Sequence, residues 1–346
     1  MSETVTLTLQ DVHEVAVAVL TAHGFDDTHA GAIADTVTAA ERDECPHHGL
    51  FRIPYYVDGV RSGLASGVAQ PELSELAPAV VRVDARYTFA PLSLALGEEP
   101  LAALAAEHGI AALVVNNALH VAALWPEVER LAERDLVAFA FVAAAPYVAP
   151  AGGREPLFGT NPMAFAWPRG DRPPLAFDQA SSACARGEIQ LRLRDGRELP
   201  DGAAIGPDGL PTSDPAQALA GAQLPFGGAK GSNIALMIEL LTGPLLGDLL
   251  SIEAGERDTA RTGAPCGGEL VIAMDPARFS VHHDREARIA HGEKLFAKIL
   301  EQEGTRLPSD RRYEARLRTP SEGVTIPASL YATLDGLRGG YEPEPA

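Results

Sequence analysis

LVAFAFVA, residues 136–143, is a short apolar run of the length that β-strands use. Similar runs occur at residues 111–115, 163–167, 175–178 and 270–274, and apolar and polar residues alternate around Val81 and Val83. Helical patterns separate only some of these predicted strands. A regular βαβ array would place a helix after each strand, so the sequence instead favours an α+β fold with a mixed or antiparallel central sheet.

Helical patterns cover both ends of the chain, at residues 8–23, 28–45, 51–62 and 284–302. We expect residues 1–78 and 284–346 to form one helical domain that packs against a sheet domain of residues 79–283. Within the sheet domain, residues 195–225 are rich in turn signals and predict a loop-rich insertion. Residues 234–241 predict a buried helix, residues 255–268 predict a loop, and the tail beyond Gly339 is predicted to fray.

The composition restricts the classes of function. The chain has 346 residues and a formal net charge of −19. This charge repels phosphate backbones and anionic lipids, so we expect neither a nucleic-acid partner nor a membrane partner. The N-terminus lacks a secretory pattern, and no apolar run reaches the roughly 18 residues of a membrane span, so a cytoplasmic location is expected. The three cysteines form no C-x-x-C pair, and the histidines show no H-x-x-x-H spacing. We therefore expect no metal site.

Two segments are candidates for binding phosphate. GGAKGS, residues 227–232, lacks the spacing of a P-loop, and no G-x-G-x-x-G motif follows a predicted strand. A glycine-rich turn that enters a helix can still offer backbone N–H groups to an anion, with Lys230 adding charge. The alternative is a tight turn with a solvated lysine. Arg306, Arg311 and Arg312 form a basic cluster that would suit a phosphate, or else a solvated helix end.

Proton transfer and carboxylate binding are suggested by HHGLFR, residues 47–52. A histidine can donate a proton near neutral pH, and an arginine can bind a carboxylate with two hydrogen bonds. The alternative is a helix cap followed by a surface arginine. His120 follows a predicted strand and is either a site residue or a buried structural histidine. Glu188 either orients a histidine or pairs with Arg186.

Long motifs occur in order along nearly the whole chain: HGLFRIP (48–54), AALWP (122–126), REPLFGTNP (154–162), LPFGG (224–228), KGS (230–232) and RLPSDRRY (306–313). In these motifs the sequence resembles the type 2 malate/L-lactate dehydrogenase family. Within that family it is most similar to the Δ1-piperideine-2-carboxylate/Δ1-pyrroline-2-carboxylate reductases. The resemblance implies a homodimer that binds NAD(P)H on a fold unrelated to the Rossmann fold.

The resemblance also implies roles for individual residues. His48 would donate a proton, Arg52 and Thr160 would hold the substrate, and Arg186 and Gly187 would lie in a substrate-binding segment. His47 and Glu188 stand where the reductases have the serine and aspartate of a relay. The residues in segments implied to bind the cofactor are His120, Val121, Ala122, Ala123 and Leu124; Asp178, Gln179 and Ala180; Ala229 and Lys230; and Arg306, Leu307, Pro308, Ser309, Asp310, Arg311 and Arg312.

These implications predict reduction of a cyclic imine 2-carboxylate to the cyclic amino acid. NADPH is the expected cofactor because an arginine fork suits its 2′-phosphate, with NADH as the alternative. A contact between Glu188 and His48 would raise the pKa of His48. One alternative function is a 2-oxo-acid/2-hydroxy-acid dehydrogenase. The other is an inactive ligand-binding paralogue, suggested by His47 and by Ala229, which replaces a histidine of the reductases.

Overall fold

The computed structural model of the chain describes residues 3–260, 262–281 and 284–339. Its strands are β1 (Thr4–Leu7), β2 (Glu72–Ala77), β3 (Val80–Asp84), β4 (Ile110–Leu119), β5 (Val137–Val142), β6 (Met163–Arg169), β7 (Arg172–Gln179), β8 (Ala204–Ile205), β9 (Pro211–Thr212), β10 (Ala222–Gln223), β11 (Cys266–Met274) and β12 (Val324–Pro327). Its α-helices are α1 (Leu9–Ala22), α2 (Asp27–Arg42), α3 (Ile53–Arg61), α4 (Ala90–His108), α5 (Trp125–Glu133), α6 (Arg186–Asp195), α7 (Pro215–Ala220), α8 (Ala229–Thr242), α9 (Ser251–Arg257), α10 (Pro276–Phe279), α11 (Arg285–Leu300), α12 (Asp310–Glu322) and α13 (Ala328–Arg338). The tail predicted to fray lies outside the described residues.

The main sheet has the strand order β2-β3-β4-β11-β5-β6-β7. The β3–β4 pair is parallel, and the other neighbouring pairs are antiparallel. The predicted α+β fold with a mixed sheet is therefore confirmed. β11 lies between β4 and β5 although it comes late in the sequence, so the centre of the sheet joins residues that are far apart along the chain.

Both faces of the main sheet are covered by helices, and this explains the pattern of β5. Successive side chains of a strand point to opposite faces. On one face Ala138 and Ala140 pack with Leu131 of α5. On the other face Phe141 packs with Ile238 of α8. The residues of β5 that face α5 are small, and those that face α8 are aromatic. Because both faces are covered, the whole run is apolar.

A second core joins the two ends of the chain. β1 pairs with β12 in antiparallel register. Leu20 of α1, Ile326 of β12 and Leu334 of α13 are buried in one hydrophobic cluster. α11 instead packs on the main sheet, where Phe296 lies in a cluster with Leu175. The predicted division into residues 1–78 plus 284–346 and residues 79–283 stays a prediction.

Several local predictions need correction. α8 is longer than the predicted buried helix, and its outer side exposes Leu236, Met237 and Leu240. The segment predicted as a loop at residues 255–268 contains the end of α9 and the start of β11. The insertion near 195–225 contains α7 and a small sheet of β8, β9 and β10. Among the described residues, no helix combines the length and apolar character that crossing a membrane requires.

Candidate active site

A cavity of about 830 Å³ brings together most of the predicted donor and substrate residues. Its walls include His48, Arg52, His120, Thr160 and Arg186. These residues come from the turns after α2, from the end of β4, from the turn before β6 and from the start of α6. Long-range packing therefore assembles one concave site from segments that are widely separated in the sequence.

His48 is presented by a short 3₁₀ turn, Pro46–His48, that follows α2. Glu41 of α2 fixes the next step of the chain, since its carboxylate accepts a hydrogen bond of 2.8 Å from the Leu50 N–H. A side chain at Gly49 would collide with the same carboxylate. Burial raises the pKa of Glu41 to about 7. A buried, hydrogen-bonded carboxyl group therefore sets the position of the histidine turn.

The surroundings of His48 favour the neutral imidazole. Burial, followed by the nearby His47 and Arg52, lowers the pKa of His48 well below its ordinary value. The ring of His48 lies 4.5 Å from that of His47, centroid to centroid. Its Nδ1 atom is buried and has no hydrogen-bond partner among the described residues. Burial disfavours the charged ring, and neighbouring positive charge adds to the effect.

The predicted rise in the pKa of His48 depended on a contact with Glu188, and the structure gives Glu188 another partner. The carboxylate of Glu188 accepts a hydrogen bond of 2.7 Å from Nε of Arg192, one helical turn further along α6. Its charge acts on His47, where it partly opposes the lowering of the pKa by burial and by Arg52. Pairs four residues apart on a helix are neighbours, so Arg192 takes the carboxylate. The pKa of His48 is accordingly lowered, and not raised.

Among the described residues, the guanidinium of Arg52 is hydrogen-bonded through Nε alone. Its Nε donates a hydrogen bond of 2.7 Å to the carbonyl oxygen of His47. The guanidinium lies 5.1 Å from the ring centroid of Tyr55. Its terminal nitrogens make no hydrogen bond within the described parts of the chain. A Cβ atom on Gly187 would lie 2.7 Å from Nη2 of Arg52, so a glycine in the first turn of α6 leaves room for this guanidinium.

A second guanidinium faces the same cavity. Arg186 lies over the ring of Tyr147 with 4.1 Å between Cζ and the ring centroid. Its Nη2 donates a hydrogen bond of 3.2 Å to the carbonyl oxygen of Leu219. Burial lowers the pKa of Arg186, but an arginine is not deprotonated in proteins, so it remains a cation. The cavity therefore presents two positive groups, which suits an anionic ligand.

The turn that carries Thr160 is fixed by a buried polar network that sequence analysis did not predict. Asn161 has a positive φ of 35°, and its Nδ2 donates a hydrogen bond of 2.7 Å to Glu239 of α8. The Ser251 N–H donates a hydrogen bond of 2.9 Å to the same carboxylate. The carbonyl oxygen of Thr160 accepts a hydrogen bond of 2.7 Å from the Ser181 N–H. A glutamate inside the apolar run 234–241 is the sequence signal that could have indicated this network.

Three of the segments predicted to bind the cofactor are neighbours. Asp178 accepts a hydrogen bond of 3.1 Å from the Leu124 N–H. Arg312 donates one of 2.8 Å to the carbonyl oxygen of Ala176, and its guanidinium lies 4.9 Å from the Trp125 ring centroid. Burial raises the pKa of Asp178, although the Leu124 N–H and Arg312 oppose this. Segments 120–124, 178–180 and 306–312 therefore meet at the end of β7.

The fourth segment contacts this group through the backbone. The Phe226 N–H donates a hydrogen bond of 3.0 Å to the carbonyl oxygen of Ser181. A Cβ atom on Gly231 would lie 2.7 Å from that oxygen, so the start of α8 packs closely on the chain after Ala180. Ala229 and Lys230 are exposed in the first turn of α8. The side chain of Lys230 makes no hydrogen bond or ion pair with the described residues.

The predicted arginine cluster is divided by the structure. Arg312 is partly buried, and its Nε has no hydrogen-bond partner among the described residues. Arg306 and Arg311 are exposed. Leu307 is buried in the cluster with Leu175, so its side chain is part of a core. In the same segment, Pro308 is exposed. The Oγ atom of Ser309 accepts a hydrogen bond from the Ala176 N–H, and the carboxylate of Asp310 accepts one from the Leu307 N–H.

Two further observations complete the site. His120 lies with Nδ1 3.2 Å from a carboxylate oxygen of Glu269, a residue that sequence analysis did not single out. Gln179, the last residue of β7, is exposed. In the described ranges, no group of three or more histidine, cysteine, aspartate or glutamate side chains is arranged to hold a metal ion.

Comparison with known proteins identifies the family. The family model described as malate/L-lactate dehydrogenase matches residues 7–335. Delta(1)-pyrroline-2-carboxylate reductase of Ancylobacter novellus is 49% identical over 97% of this chain and 98% of its own length. (2R)-3-sulfolactate dehydrogenase (NADP(+)) of Chromohalobacter salexigens is 41% identical over 96% of this chain and 97% of its own. The crystal structure of delta1-piperideine-2-carboxylate reductase from Pseudomonas syringae pv. tomato superposes with a TM-score of 0.90, with 38% identity over 96% of this chain and 99% of that chain.

The motif resemblance and the full-length matches agree, and the residues of the cavity lie within the matched range. The chain therefore belongs to the malate/L-lactate dehydrogenase family.

Proposed function

We propose that this chain reduces a cyclic imine that carries a 2-carboxylate, of the Δ1-pyrroline-2-carboxylate or Δ1-piperideine-2-carboxylate type, with NAD(P)H. The observation that carries the proposal is the pairing of His48 with the open guanidinium of Arg52 in one cavity. A proton donor beside a carboxylate-binding group is what this reaction requires. The names of the relatives, which are reductases of these imines, support the same substrate class.

A dehydrogenase family implies a nicotinamide cofactor, and the exposed residues fit one. Arg306, Arg311 and Lys230 offer cationic groups that are not used in ion pairs with the described residues. Arg312 has a buried Nε without a partner beside the segment that ends β7. When bound, the cofactor supplies the hydride. We assign NADPH as the preferred form because exposed arginines suit a 2′-phosphate, and a relative is named for NADP(+).

This cofactor would be held without a Rossmann fold. The sequence has no G-x-G-x-x-G motif after a strand. The candidate residues instead lie at the ends of β4 and β7 and in the first turns of α8 and α12. The homodimer and the cytoplasmic location also remain proposals. The exposed apolar side of α8 supports an interface between two copies.

Arg52 would bind the substrate carboxylate through its two terminal nitrogens. The hydrogen bond from Nε to His47 fixes the plane of the guanidinium, and Gly187 gives it room. A planar, fixed guanidinium loses little freedom when it binds a carboxylate. Thr160 lines the same cavity and adds a hydroxyl group to the wall.

His48 would donate the proton to the imine nitrogen. Arg52 is one cause of the lowered pKa of His48 in the free site. A carboxylate bound to Arg52 neutralises that charge, which raises the pKa of His48 in the complex. Substrate binding thus favours the protonated form of His48, and a positioned acid of this kind accelerates such reactions by about 10²–10⁴-fold.

A substrate panel tests the proposal. Steady-state rates are measured with Δ1-pyrroline-2-carboxylate, Δ1-piperideine-2-carboxylate, pyruvate, oxaloacetate and 3-sulfopyruvate, each with NADPH and with NADH. We expect the highest kcat/KM for a cyclic imine with NADPH. A higher value for a 2-oxo acid would show a 2-hydroxy-acid dehydrogenase instead. NADPH binding without turnover of any compound would show an inactive binding protein.

A further inference from the structure

A second cavity of about 400 Å³ lies behind the active cavity and shares a wall with it. His120, Val121 and Ala122 line both cavities. The second cavity is also lined by Glu127 of α5 and Glu269 of β11. Residues of α4 form another of its walls, including Glu98 and Glu99, which pair with arginines of the α5 region.

The two inner glutamates both line the second cavity, and their carboxyl groups interact. Burial, followed by the charge of Glu269, raises the pKa of Glu127 well above its ordinary value. Burial beside Glu269 thus favours the protonated carboxyl of Glu127, which can donate to Glu269. Both oxygens of Glu269 are buried, and neither has a hydrogen-bond partner assigned to it within the described chain. Two buried carboxyl groups that interact disfavour simultaneous ionisation, so the pair favours the state in which it holds one proton.

His120 continues this line of groups toward the active cavity. Its Nδ1 lies 3.2 Å from Oε2 of Glu269, and its Nε2 lies 3.4 Å from the carbonyl oxygen of Gly267. The backbone of Val121, the next residue, contacts His48. The carboxyl pair and the imidazole thus form a continuous polar path through a wall that is otherwise apolar.

The fold does not require this path. Glu269 occupies the central strand of the main sheet between Gly268 and Leu270, and its side chain is wholly buried. Buried carboxyl groups are costly unless they are paired, and an apolar side chain at this position would stabilise the sheet more. The arrangement therefore points to a role in chemistry.

We propose that Glu127, Glu269 and His120 form a proton relay from the second cavity to the active cavity. This proposal rests on the reduction proposed above. Each reduction adds a hydride and a proton across the C=N bond, so His48 must be protonated again in every turnover. In the relay the proton of Glu127 passes to Glu269, the proton of Glu269 passes to Nδ1 of His120, and His120 releases one into the active cavity. Water in the second cavity returns a proton to Glu127, and no electrons move.

The test separates proton supply from hydride transfer. Glu269→Gln and Glu127→Gln keep the shape of the side chains but cannot pass protons, and Glu99→Gln is the matched control on the rim of the same cavity. We expect the relay variants to slow multiple turnover by on the order of tenfold and to raise its solvent isotope effect. Single-turnover hydride transfer, started by adding NADPH to enzyme that already holds its substrate, and kcat/KM should match the parent, and the control should match it throughout. Equal loss in single and multiple turnover, or no loss in either, would overturn the relay.

An infrared measurement tests the shared proton without turnover. The parent should show the C=O band of a buried carboxylic acid, and Glu127→Gln should remove it while Glu99→Gln should not. The absence of such a band in the parent would overturn the relay whatever the substrate is. If the parent reduces a 2-oxo acid and no imine, the proposed substrate is wrong. The relay is then tested with that acid, because carbonyl reduction also consumes a proton.

Discussion

The close approach of Arg52 to the backbone of Gly187 leads to a sharp prediction for Gly187→Ala. The new Cβ would lie 2.7 Å from Nη2 of Arg52 and 3.5 Å from Cβ of His47. Carbon and nitrogen need roughly 3.5 Å in contact, so the guanidinium must move by several tenths of an ångström. Its Nε is tied to the His47 carbonyl, so it cannot withdraw without tilting.

The expected cost falls on substrate binding and not on folding. Tilting the guanidinium weakens one of two charge-assisted hydrogen bonds to the carboxylate, each worth about 1.5–3 kcal/mol. This predicts a rise in KM of about 10- to 100-fold. Gly187 lies in the first turn of α6 without a positive φ, and alanine is the better helix former by up to about 1 kcal/mol. The variant should therefore be at least as stable as the parent.

Gly31→Ala is the matched control, because Gly31 lies in α2 and a Cβ there meets nothing within 4 Å. Urea unfolding should show equal or higher stability for both variants. Only Gly187→Ala should raise KM, and neither should change NADPH affinity measured by fluorescence. An unchanged KM in Gly187→Ala, or an equal rise in both variants, would refute the placement of Arg52 against Gly187 as the substrate-binding geometry.

Three further predictions concern single side chains. Arg52→Lys should raise KM about tenfold or more with unchanged NADPH affinity, because a point charge cannot form both hydrogen bonds; a level KM would make Arg52 structural. Arg311→Ala should lower the affinity for NADPH about tenfold relative to that for NADH. Arg312→Ala removes a hydrogen bond to the Ala176 carbonyl and should lower the affinity for both cofactors. An unchanged cofactor preference in Arg311→Ala would exclude that residue from 2′-phosphate binding. Folding raises the pKa of the Glu41 carboxyl from 4.5 to about 7. The contribution of this group to the free energy of unfolding is therefore fully present below pH 4.5 and is lost as the pH rises through 7. Glu41→Gln should thus gain up to about 3 kcal/mol over the parent between pH 5 and 8 in urea unfolding, and parallel pH profiles would contradict this.

The sequence predicts strands that consist of an apolar run. It does not predict which short, partly polar strands pair when they lie far apart along the chain. The run 136–143 contains β5, because a strand covered on both faces is apolar throughout. β1 and β12 are short and alternate Thr with apolar residues, and their pairing joins Thr4 to Pro327 across almost the whole chain. Such a contact depends on tertiary packing and leaves no local signal.

Site residues were predictable as members of segments, but their partners were not. The family motifs indicated His48, Arg52 and Thr160, and the structure gathers them in one cavity. The partner of Glu188 is Arg192, four residues further along the same helix, and this spacing was a sequence signal that the analysis did not use. Arg311 and Arg312 diverge because successive residues of a helix point about 100° apart.

Buried glutamates show where sequence analysis could have gone further. Glu239 interrupts the apolar run 234–241 and Glu269 directly precedes the run 270–274, and each proves to belong to a polar group beside the candidate site. A charged residue in such a run is rarely buried without a partner. The sequence therefore marks the position, but only the fold identifies the partner.

The central claim, that His48 donates the proton, is tested most directly by comparing His48→Ala with His47→Ala at saturating NADPH. Both rings lie at the same turn, 4.5 Å apart, so the pair controls for general damage to the site. We predict that His48→Ala lowers kcat by about 10²–10⁴-fold with unchanged NADPH affinity, while His47→Ala costs less than about tenfold. An inactive His47→Ala with an active His48→Ala would reverse the two roles, and full activity in both variants would place the proton donor elsewhere.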